Sequence, residues 1–277
     1  MATTELGALR KMQGQLNTQG RVEYHLPIGE QLLPMNALIG KNISLNFNGI
    51  INCQHCGKRT KKSYSQGFCF PCMQKLAQCD MCILKPETCH YEQGTCREPQ
   101  WGEQHCFTDH YVYLANTSGL KVGITRHTQL PIRWIDQGAT QALPIFKVST
   151  RLQSGLVEIA LAEFISDKTN WRAMLKGSND DIDLVASAQQ LIPQIATKLA
   201  ELKLTYGEDA IQVLNHDIVT IKFPVTKYLT KISSLNFDKT ATVSGLLLGI
   251  KGQYLIFDSG VINIRKFTSY NINVDYN

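Results

Sequence analysis

The chain has 277 residues, of which 43 % are hydrophobic and 18 % are charged, and its formal net charge is +5. This composition fits two or three compact units with real cores and excludes a disordered chain. No stretch has the apolar length of a membrane span, and the N-terminus lacks the apolar core of a secretion signal. We therefore expect a cytoplasmic protein without a membrane partner. The mild positive charge is compatible with a polyanionic partner but does not require one.

The cysteines are unevenly distributed. All nine lie between Cys53 and Cys106. Thiols stay reduced in the cytoplasm, and an odd number argues further against a closed set of disulfides. The local clustering therefore indicates metal binding.

Residues 1–52 are predicted to form a small antiparallel β unit. Their apolar residues alternate in short segments that Gly and Pro separate. They show no catalytic constellation. The predicted strands are Lys11–Leu16, Val22–Leu26, and Asn42–Phe47 running into Gly49–Ile51.

The first half of the cysteine-rich segment, residues 53–106, contains two Cys-x2-Cys pairs. Two such pairs a dozen residues apart suit tetrahedral zinc, because each pair turns two sulfurs toward a common point. Gly57 permits the left-handed turn that follows such a pair. Four sulfurs leave no open position for water, so a structural role is expected. The predicted ligands are Cys53, Cys56, Cys69 and Cys72.

Basic and aromatic residues lie between and beside these pairs. On a zinc ribbon they could grip a phosphate backbone, or they could form a solvated tip, and the sequence does not decide between the two. The residues are Lys58, Arg59, Lys61, Lys62, Tyr64, Phe68 and Phe70.

The second half of the segment predicts another structural zinc. Cys79 and Cys82 form a third Cys-x2-Cys pair, and any two of the three later cysteines could complete the site. A leftover thiol would be buried and inert. Metal binding would supply the folding free energy that so short a segment cannot obtain from a core. The later cysteines are Cys89, Cys96 and Cys106, with His90, His105 and His110 as reserve ligands.

Residues 107–175 predict a small α/β unit. A hairpin is expected at Tyr111–Ala115 and Leu120–Thr125, then a strand at Leu143–Val148 and a helix at Leu156–Ser166. The helix is apolar nearly all round and carries Glu158 and Glu163. A carboxylate on an apolar face is costly unless it is paired or binds a cation. We expect one of the two to be an ordinary surface residue.

This unit resembles the GIY-YIG endonuclease superfamily. The resemblance rests on VYL at 112–114, KVGIT at 121–125, RW at 133–134, Glu158 within E-x-x-L, and Asn170. It covers about a quarter of the chain. With its cysteines and the segments KVGITR, RWIDQGA and GIKGQY, the whole chain also resembles an uncharacterised bacterial zinc-containing family.

The resemblance implies a role for each matching residue. Tyr113 corresponds to the tyrosine of the first motif and Gly123 to the glycine of the second. Arg133 corresponds to the arginine that contacts phosphate, with Arg126 as a rival because the preceding loop is long. Glu158 corresponds to the ligand of Mg²⁺ or Mn²⁺, and Asn170 to the terminal polar residue. Lys121 stands where the second motif has a tyrosine. Tyr113, or Lys121 if burial lowered its pKa, would orient or deprotonate the water.

The remainder of the chain is predicted to be a helical segment at 176–215 and a β unit at 216–277. Gly177-Ser-Asn-Asp signals a helix start, and Pro193 should kink or split a helix over Ile182–Leu204. The two glycine-containing turns in the β unit are expected to be hairpin connections. We expect this unit to pack with residues 1–52 into one barrel-like unit. Its predicted strands are Ile218–Val225, Val243–Leu248, Tyr254–Phe257 and Val261–Phe267.

The fold class expected is therefore α+β, with a central GIY-YIG-like unit, a preceding zinc-ribbon segment and antiparallel β units at both ends. Three functions remain open. The first is a divalent-metal-dependent nuclease acting on DNA or RNA. The second is a nucleic-acid-binding module that keeps the nuclease scaffold without turnover. The third is a zinc-stabilised protein-interaction adaptor. The sequence leaves the oligomeric state open.

Overall fold

The computed structural model describes residues 2–177 and 181–277. It confirms a mixed α+β protein with several antiparallel sheets. No helix in these ranges is both long and apolar enough to cross a membrane. In chain order the strands and helices are β1 (Ala2–Thr3), β2 (Gly7–Ala8), β3 (Gln13–Leu16), β4 (Val22–Ile28), β5 (Gln31–Pro34), β6 (Asn42–Ile51), α1 (Phe70–Lys75), α2 (Pro99–Cys106), β7 (His110–Asn116), β8 (Leu120–Arg126), α3 (Ile132–Asp136), β9 (Gln141–Val148), α4 (Arg151–Ala162), α5 (Trp171–Met174), α6 (Leu184–Gln194), α7 (Ala196–Tyr206), β10 (Ile211–Val213), β11 (Val219–Thr220), β12 (Thr242–Lys251), β13 (Tyr254–Phe257), β14 (Gly260–Asn263) and β15 (Tyr270–Tyr276).

The two β-rich ends of the chain share one seven-stranded sheet. Its order is β1-β15-β6-β12-β13-β14, and β2 also pairs with β15. Strand β6 holds the sheet together, because Leu45 is opposite Val243 on one side and Val274 on the other. All three side chains are buried in the largest hydrophobic core. A three-stranded sheet, β3-β4-β5, contributes residues to the same core.

The central unit is a five-stranded antiparallel sheet in the order β10-β9-β7-β8, with β11 also on β9. The predicted hairpin and third strand are β7, β8 and β9. Helix α4 packs against these strands, and α6 and α7 complete a second hydrophobic core with it. Strand β7 is central, so its side chains Val112, Tyr113, Leu114 and Ala115 are all fully buried.

Several element boundaries differ from the sequence prediction. Helix α4 begins five residues earlier than the predicted Leu156, because Thr150 and Gln153 form a reciprocal capping box. The predicted helix 182–204 is divided near Pro193, and α7 continues to Tyr206. Of the helix-start signal at 177–180, residues 178–180 lie outside the described residues. The side chain of Asp183 caps α6.

The C-terminal prediction was partly wrong. Only Val219–Thr220 of the predicted strand 218–225 is a strand. The predicted strand 261–267 ends at Asn263, whose side chain accepts the Lys266 N–H and begins a 3-10 helix. Strand β15 was not predicted. The two glycine-containing turns are hairpin connections, as expected.

Candidate metal centres and basic cleft

Four cysteine sulfurs meet at one point in the first half of the cysteine-rich segment. The sulfurs of Cys53, Cys56, Cys69 and Cys72 all lie within 4.8 Å of one another, and those of Cys56 and Cys69 are 3.8 Å apart. Four sulfurs bound tetrahedrally at about 2.3 Å from zinc are about 3.8 Å apart. The donor set and its spacing therefore fit a structural zinc.

The local backbone explains this convergence. Gly57 has φ +70°, and its N–H donates to the Cys53 carbonyl at 2.9 Å, which closes the first turn. Cys69 is the N-cap of α1, so Cys72 lies in the first helical turn. Burial raises the pKa of the Cys53 thiol, but hydrogen bonds from the backbone N–H groups of Cys56, Cys69 and His55 bring it down to about 6. The Cys53 sulfur therefore favours the thiolate that metal binding requires. Burial and the neighbouring sulfurs instead raise the pKa of the Cys72 thiol.

The second half of the segment is arranged differently from the prediction. Cys79 ends one 3-10 helix and packs against the first centre, whereas Cys82 lies in the next 3-10 helix. Asp80 between them is extended, and of the two cysteines only Cys82 lines the cavity described next. A separate small cavity, which we call the cysteine cavity, is lined by Cys82, Cys89, Cys96 and Cys106.

The three reserve histidines have other surroundings. The His90 ring lies 3.4 Å from Asp80, and these two form a possible ligand group with Cys82. His105 stacks on Trp101 with ring centroids 4.2 Å apart. His110 is fully buried at the start of β7, and burial lowers its pKa to about 4.

A cleft of ≈ 420 Å³ lies beside the central sheet. Five basic and three acidic side chains line it, so its net charge is positive when all are ionised. We call it the basic cleft. Its charged lining residues are Lys11, Arg126, Arg133, Arg151, Arg265, Asp136, Glu158 and Asp167.

Glu158 is the partly buried carboxylate of this cleft. Burial raises its pKa to about 7, against the opposing fields of Lys121, Arg133 and Arg151, while Asp167 raises it further. Glu163, which ends the same helix, is exposed. The expectation that one of the two glutamates is an ordinary surface residue therefore holds for Glu163.

Lys121 is almost completely buried behind the cleft, with 4 % of its surface exposed. Burial and the Arg133 charge lower its pKa to about 8, while Glu158 and Asp167 oppose the shift. Its position follows from β8, whose Val122 N–H donates to the Ser166 carbonyl at 2.9 Å. The segment after α4 thus runs along β8.

Tyr113 lies fully buried on β7 and does not line the cleft. Its hydroxyl donates to Gln137 Oε1 at 2.8 Å, and it also interacts with the Arg133 side chain. Tyr113 therefore touches the same arginine that faces the cleft, but has no exposed surface of its own. Asn170 is exposed, caps α5 through the Ala173 N–H at 3.2 Å, and is not part of the cleft lining.

The sequence motifs did not assign Arg151, Asp167 or Arg265 to a site, although all three line the cleft. Arg151 is seven residues before Glu158, so the two share a face of α4. The capping box at Thr150 was the signal that would have extended the helix to include it. Asp167 follows α4, and Arg265 comes from the 3-10 helix near the C-terminus. No local pattern links Arg265 to this cleft.

These features define a class of protein: an α+β protein with a four-cysteine centre and a basic cleft beside an antiparallel sheet. Within that class the chain belongs to a protein family described as "Protein of unknown function (DUF2797)", whose model matches residues 40–272. Neither the curated proteins nor the solved structures contain a match to this chain.

Proposed function

We propose that the basic cleft binds a nucleic-acid phosphodiester and cleaves it with a divalent cation, in the manner of the GIY-YIG endonucleases. The observation that carries the proposal is that four arginines and one carboxylate with a raised pKa line the same cleft. These residues come from four separate parts of the chain and line one cleft: Arg126, Arg133, Arg151, Arg265 and Glu158.

The arginines suit a phosphate ligand. A guanidinium presents a planar set of donors that matches phosphate oxygens, and it remains charged at any relevant pH. The guanidinium of Arg151 is held in place by a hydrogen bond to the Ile83 carbonyl, while its Nε has no hydrogen-bond partner among the described residues. The exposed basic residues of the zinc segment would extend contact along the backbone. They are Lys58, Arg59, Lys61 and Lys62.

The carboxylates of the cleft fit a hard cation. Mg²⁺ and Mn²⁺ prefer oxygen ligands and are commonly held by one or two carboxylates together with water and phosphate oxygens. Glu158 would provide the main ligand and the exposed Asp167 a second one. When bound, the cation would neutralise charge on the phosphoryl oxygens and activate a water molecule.

The buried groups behind the cleft would have two roles, to accept a proton and to position an arginine. Lys121, whose pKa burial lowers to about 8, is partly neutral near pH 8 and would accept a proton only from water that passes the cleft lining. Tyr113 would hold Arg133 in position, because its side chain interacts with that arginine as well as donating to Gln137. Arg133 would clamp the phosphate, with Arg126 beside it. Asn170 would act only if its capping bond to Ala173 were replaced.

A second candidate is nucleic-acid binding without cleavage. The burial of Tyr113 and Lys121 favours it, since neither side chain lines the cleft. The zinc-stabilised protein-interaction adaptor is the outcome left if nucleic acid does not bind.

The test uses purified full-length protein with labelled duplex, single-stranded and structured DNA and RNA, with Mg²⁺ or Mn²⁺. Glu158→Gln and Arg133→Ala are compared with two matched controls. Glu163→Gln changes the exposed glutamate at the end of the same helix, and Arg21→Ala changes an exposed arginine away from the cleft. We expect both site variants to lose cleavage by at least tenfold and both controls to retain it.

The other outcomes are equally distinct. Cleavage that survives both site substitutions would contradict the proposed site. Salt-dependent binding that Arg133→Ala weakens, without any cleavage, would establish the second candidate. Absence of binding to every nucleic acid would leave the adaptor.

A further inference from the structure

The cysteine cavity is a second candidate cofactor site, separate from the four-cysteine zinc centre. Its four sulfur donors come from Cys82-x6-Cys89-x6-Cys96-x9-Cys106, a spacing without a Cys-x2-Cys pair. The four side chains nevertheless line one cavity.

These four sulfurs are less tightly grouped than those of the first centre. Among the four, no three sulfurs lie within 4.8 Å of one another, whereas all four of the first centre do. Four sulfurs at about 2.3 Å from a single ion would also leave no room for a water molecule between them. The cysteine cavity instead keeps an open space among its lining residues, with a volume of ≈ 20 Å³.

The competing donor group can be explained without a metal. Asp80, Cys82 and His90 offer three ligand atoms within 4.8 Å. The same Asp80 oxygen, however, accepts Arg97 Nε at 2.7 Å and faces His90 Nε2 at 3.4 Å. Asp80 is therefore already paired with a cation from the chain itself.

We propose that Cys82, Cys89, Cys96 and Cys106 hold an iron–sulfur cluster of the 4Fe–4S type. In such a cluster each thiolate binds a different iron, so the sulfurs stand farther apart than on a single ion. The remaining wall of the cavity contains the rings of Tyr91, Trp101 and Phe107. Gly102 of α2 faces Cys96, and a Cβ there would lie 3.5 Å from its sulfur.

The cluster would fix one wall of the basic cleft. Ile83 lines both the cysteine cavity and the basic cleft, and its carbonyl accepts a hydrogen bond from Arg151. Arg151 also lies in the field of Cys82 and Cys106. The cluster site itself is argued from the cysteines alone and does not depend on the nuclease proposal.

The test is metal analysis of the full-length protein purified without oxygen, before and after reconstitution with ferrous iron and sulfide. We expect about four irons and four acid-labile sulfides per chain, together with about one zinc. A broad visible absorption that dithionite bleaches should accompany the iron. Cys96→Ser should lose the iron and the absorption but keep the zinc.

Two matched variants separate a lost site from a lost fold. Cys79→Ser, which changes a cysteine outside the cavity, should keep the iron. Cys56→Ser should lose zinc and keep the iron if its fold survives, as judged by circular dichroism. Zinc in place of iron at the second centre, or iron that Cys96→Ser does not remove, would overturn the proposal. Nuclease activity is not used as a readout, so failure of the cluster and failure of the proposed function remain distinct.

Discussion

Tyr113 and Gly123 face each other directly across the central hairpin, and the tyrosine ring occupies the space that a side chain at position 123 would need. The two residues are paired in register between β7 and β8. A Cβ on Gly123 would lie 2.6 Å from the Tyr113 hydroxyl oxygen and 2.7 Å from its Cζ. This pair is therefore one reason that the ring lies beside Gln137 and Arg133.

The first prediction concerns this contact. Gly123→Ala should lower the free energy of unfolding by about 1 to 3 kcal/mol, because the buried ring has no room to move away. Urea denaturation measures the change. In Tyr113→Phe, which removes the nearest atom, the same substitution should cost less. Equal costs in the two backgrounds would contradict the contact.

The second prediction concerns the pH dependence of stability. The pKa of Glu158 is raised by burial from 4.5 to about 7, so the folded protein holds this proton more tightly than the unfolded chain. The stabilisation is present below about pH 4.5 and is lost as the pH rises through 7. Its size is about 2 to 3 kcal/mol.

The measurement is urea denaturation of wild type and Glu158→Gln between pH 5 and 8, without divalent cations. The wild type should lose stability relative to the variant over this range, since glutamine cannot ionise. Glu163→Gln should follow the wild type. Parallel curves for the wild type and Glu158→Gln would show that the Glu158 pKa is not raised.

The third prediction concerns the start of α4, the helix that carries Arg151 and Glu158. The Thr150 hydroxyl accepts the Gln153 N–H at 3.3 Å, and the Gln153 side chain accepts the Thr150 N–H at 3.1 Å. Thr150→Ala should cost about 1 kcal/mol, as loss of an N-cap usually does. Thr205→Ala, near the exposed end of α7, is the matched control and should have a smaller effect in thermal unfolding.

The fourth prediction concerns zinc. Removal of zinc by a chelator should unfold the segment from Cys53 to Leu76 while the central sheet stays folded. This segment has a small core of its own that consists largely of cysteine side chains. Hydrogen exchange should show loss of protection at the N–H groups of Gly57 and Met73 but not at those of β7. Unchanged protection after complete loss of zinc would contradict a structural role.

The fifth prediction concerns Arg265, the arginine contributed to the basic cleft from near the C-terminus. If it contacts a phosphate, Arg265→Ala should weaken nucleic-acid binding and reduce the salt slope by about 1. Lys239→Ala removes an exposed positive charge outside the cleft and should leave the slope unchanged. Equal effects of the two substitutions would indicate a general charge effect.

The sequence was most informative where the determining interactions are local. The zinc knuckles at Cys53 and Cys69 and the hairpin of β7 and β8 depend on spacing, alternation and turn residues over a few positions. Strand β15 was missed although it pairs with β6, because its partner is more than 200 residues away. For the same reason no pattern placed Arg265 beside Arg133.

In the candidate site, too, the sequence predicted what depends on local spacing and not what depends on distant contacts. Motif spacing led to Arg126, Arg133 and Glu158, which line one cleft. It could not reveal that Tyr113 is fully buried, because its side chain lies in the core that the distant β-rich ends of the chain build. It also paired Cys79 with Cys82, whereas Cys79 packs beside the four-cysteine centre and Cys82 lines the cysteine cavity.

The position of β6 has a consequence for synthesis of the chain. Its two neighbours, β12 and β15, lie beyond residue 241, so both edges of β6 stay unpaired while nearly 200 residues are made. Exposed strand edges invite pairing with other chains. During that interval the nascent protein could aggregate through Asn42–Ile51. A chaperone, or the adjacent zinc segment if it folds early, would protect this strand.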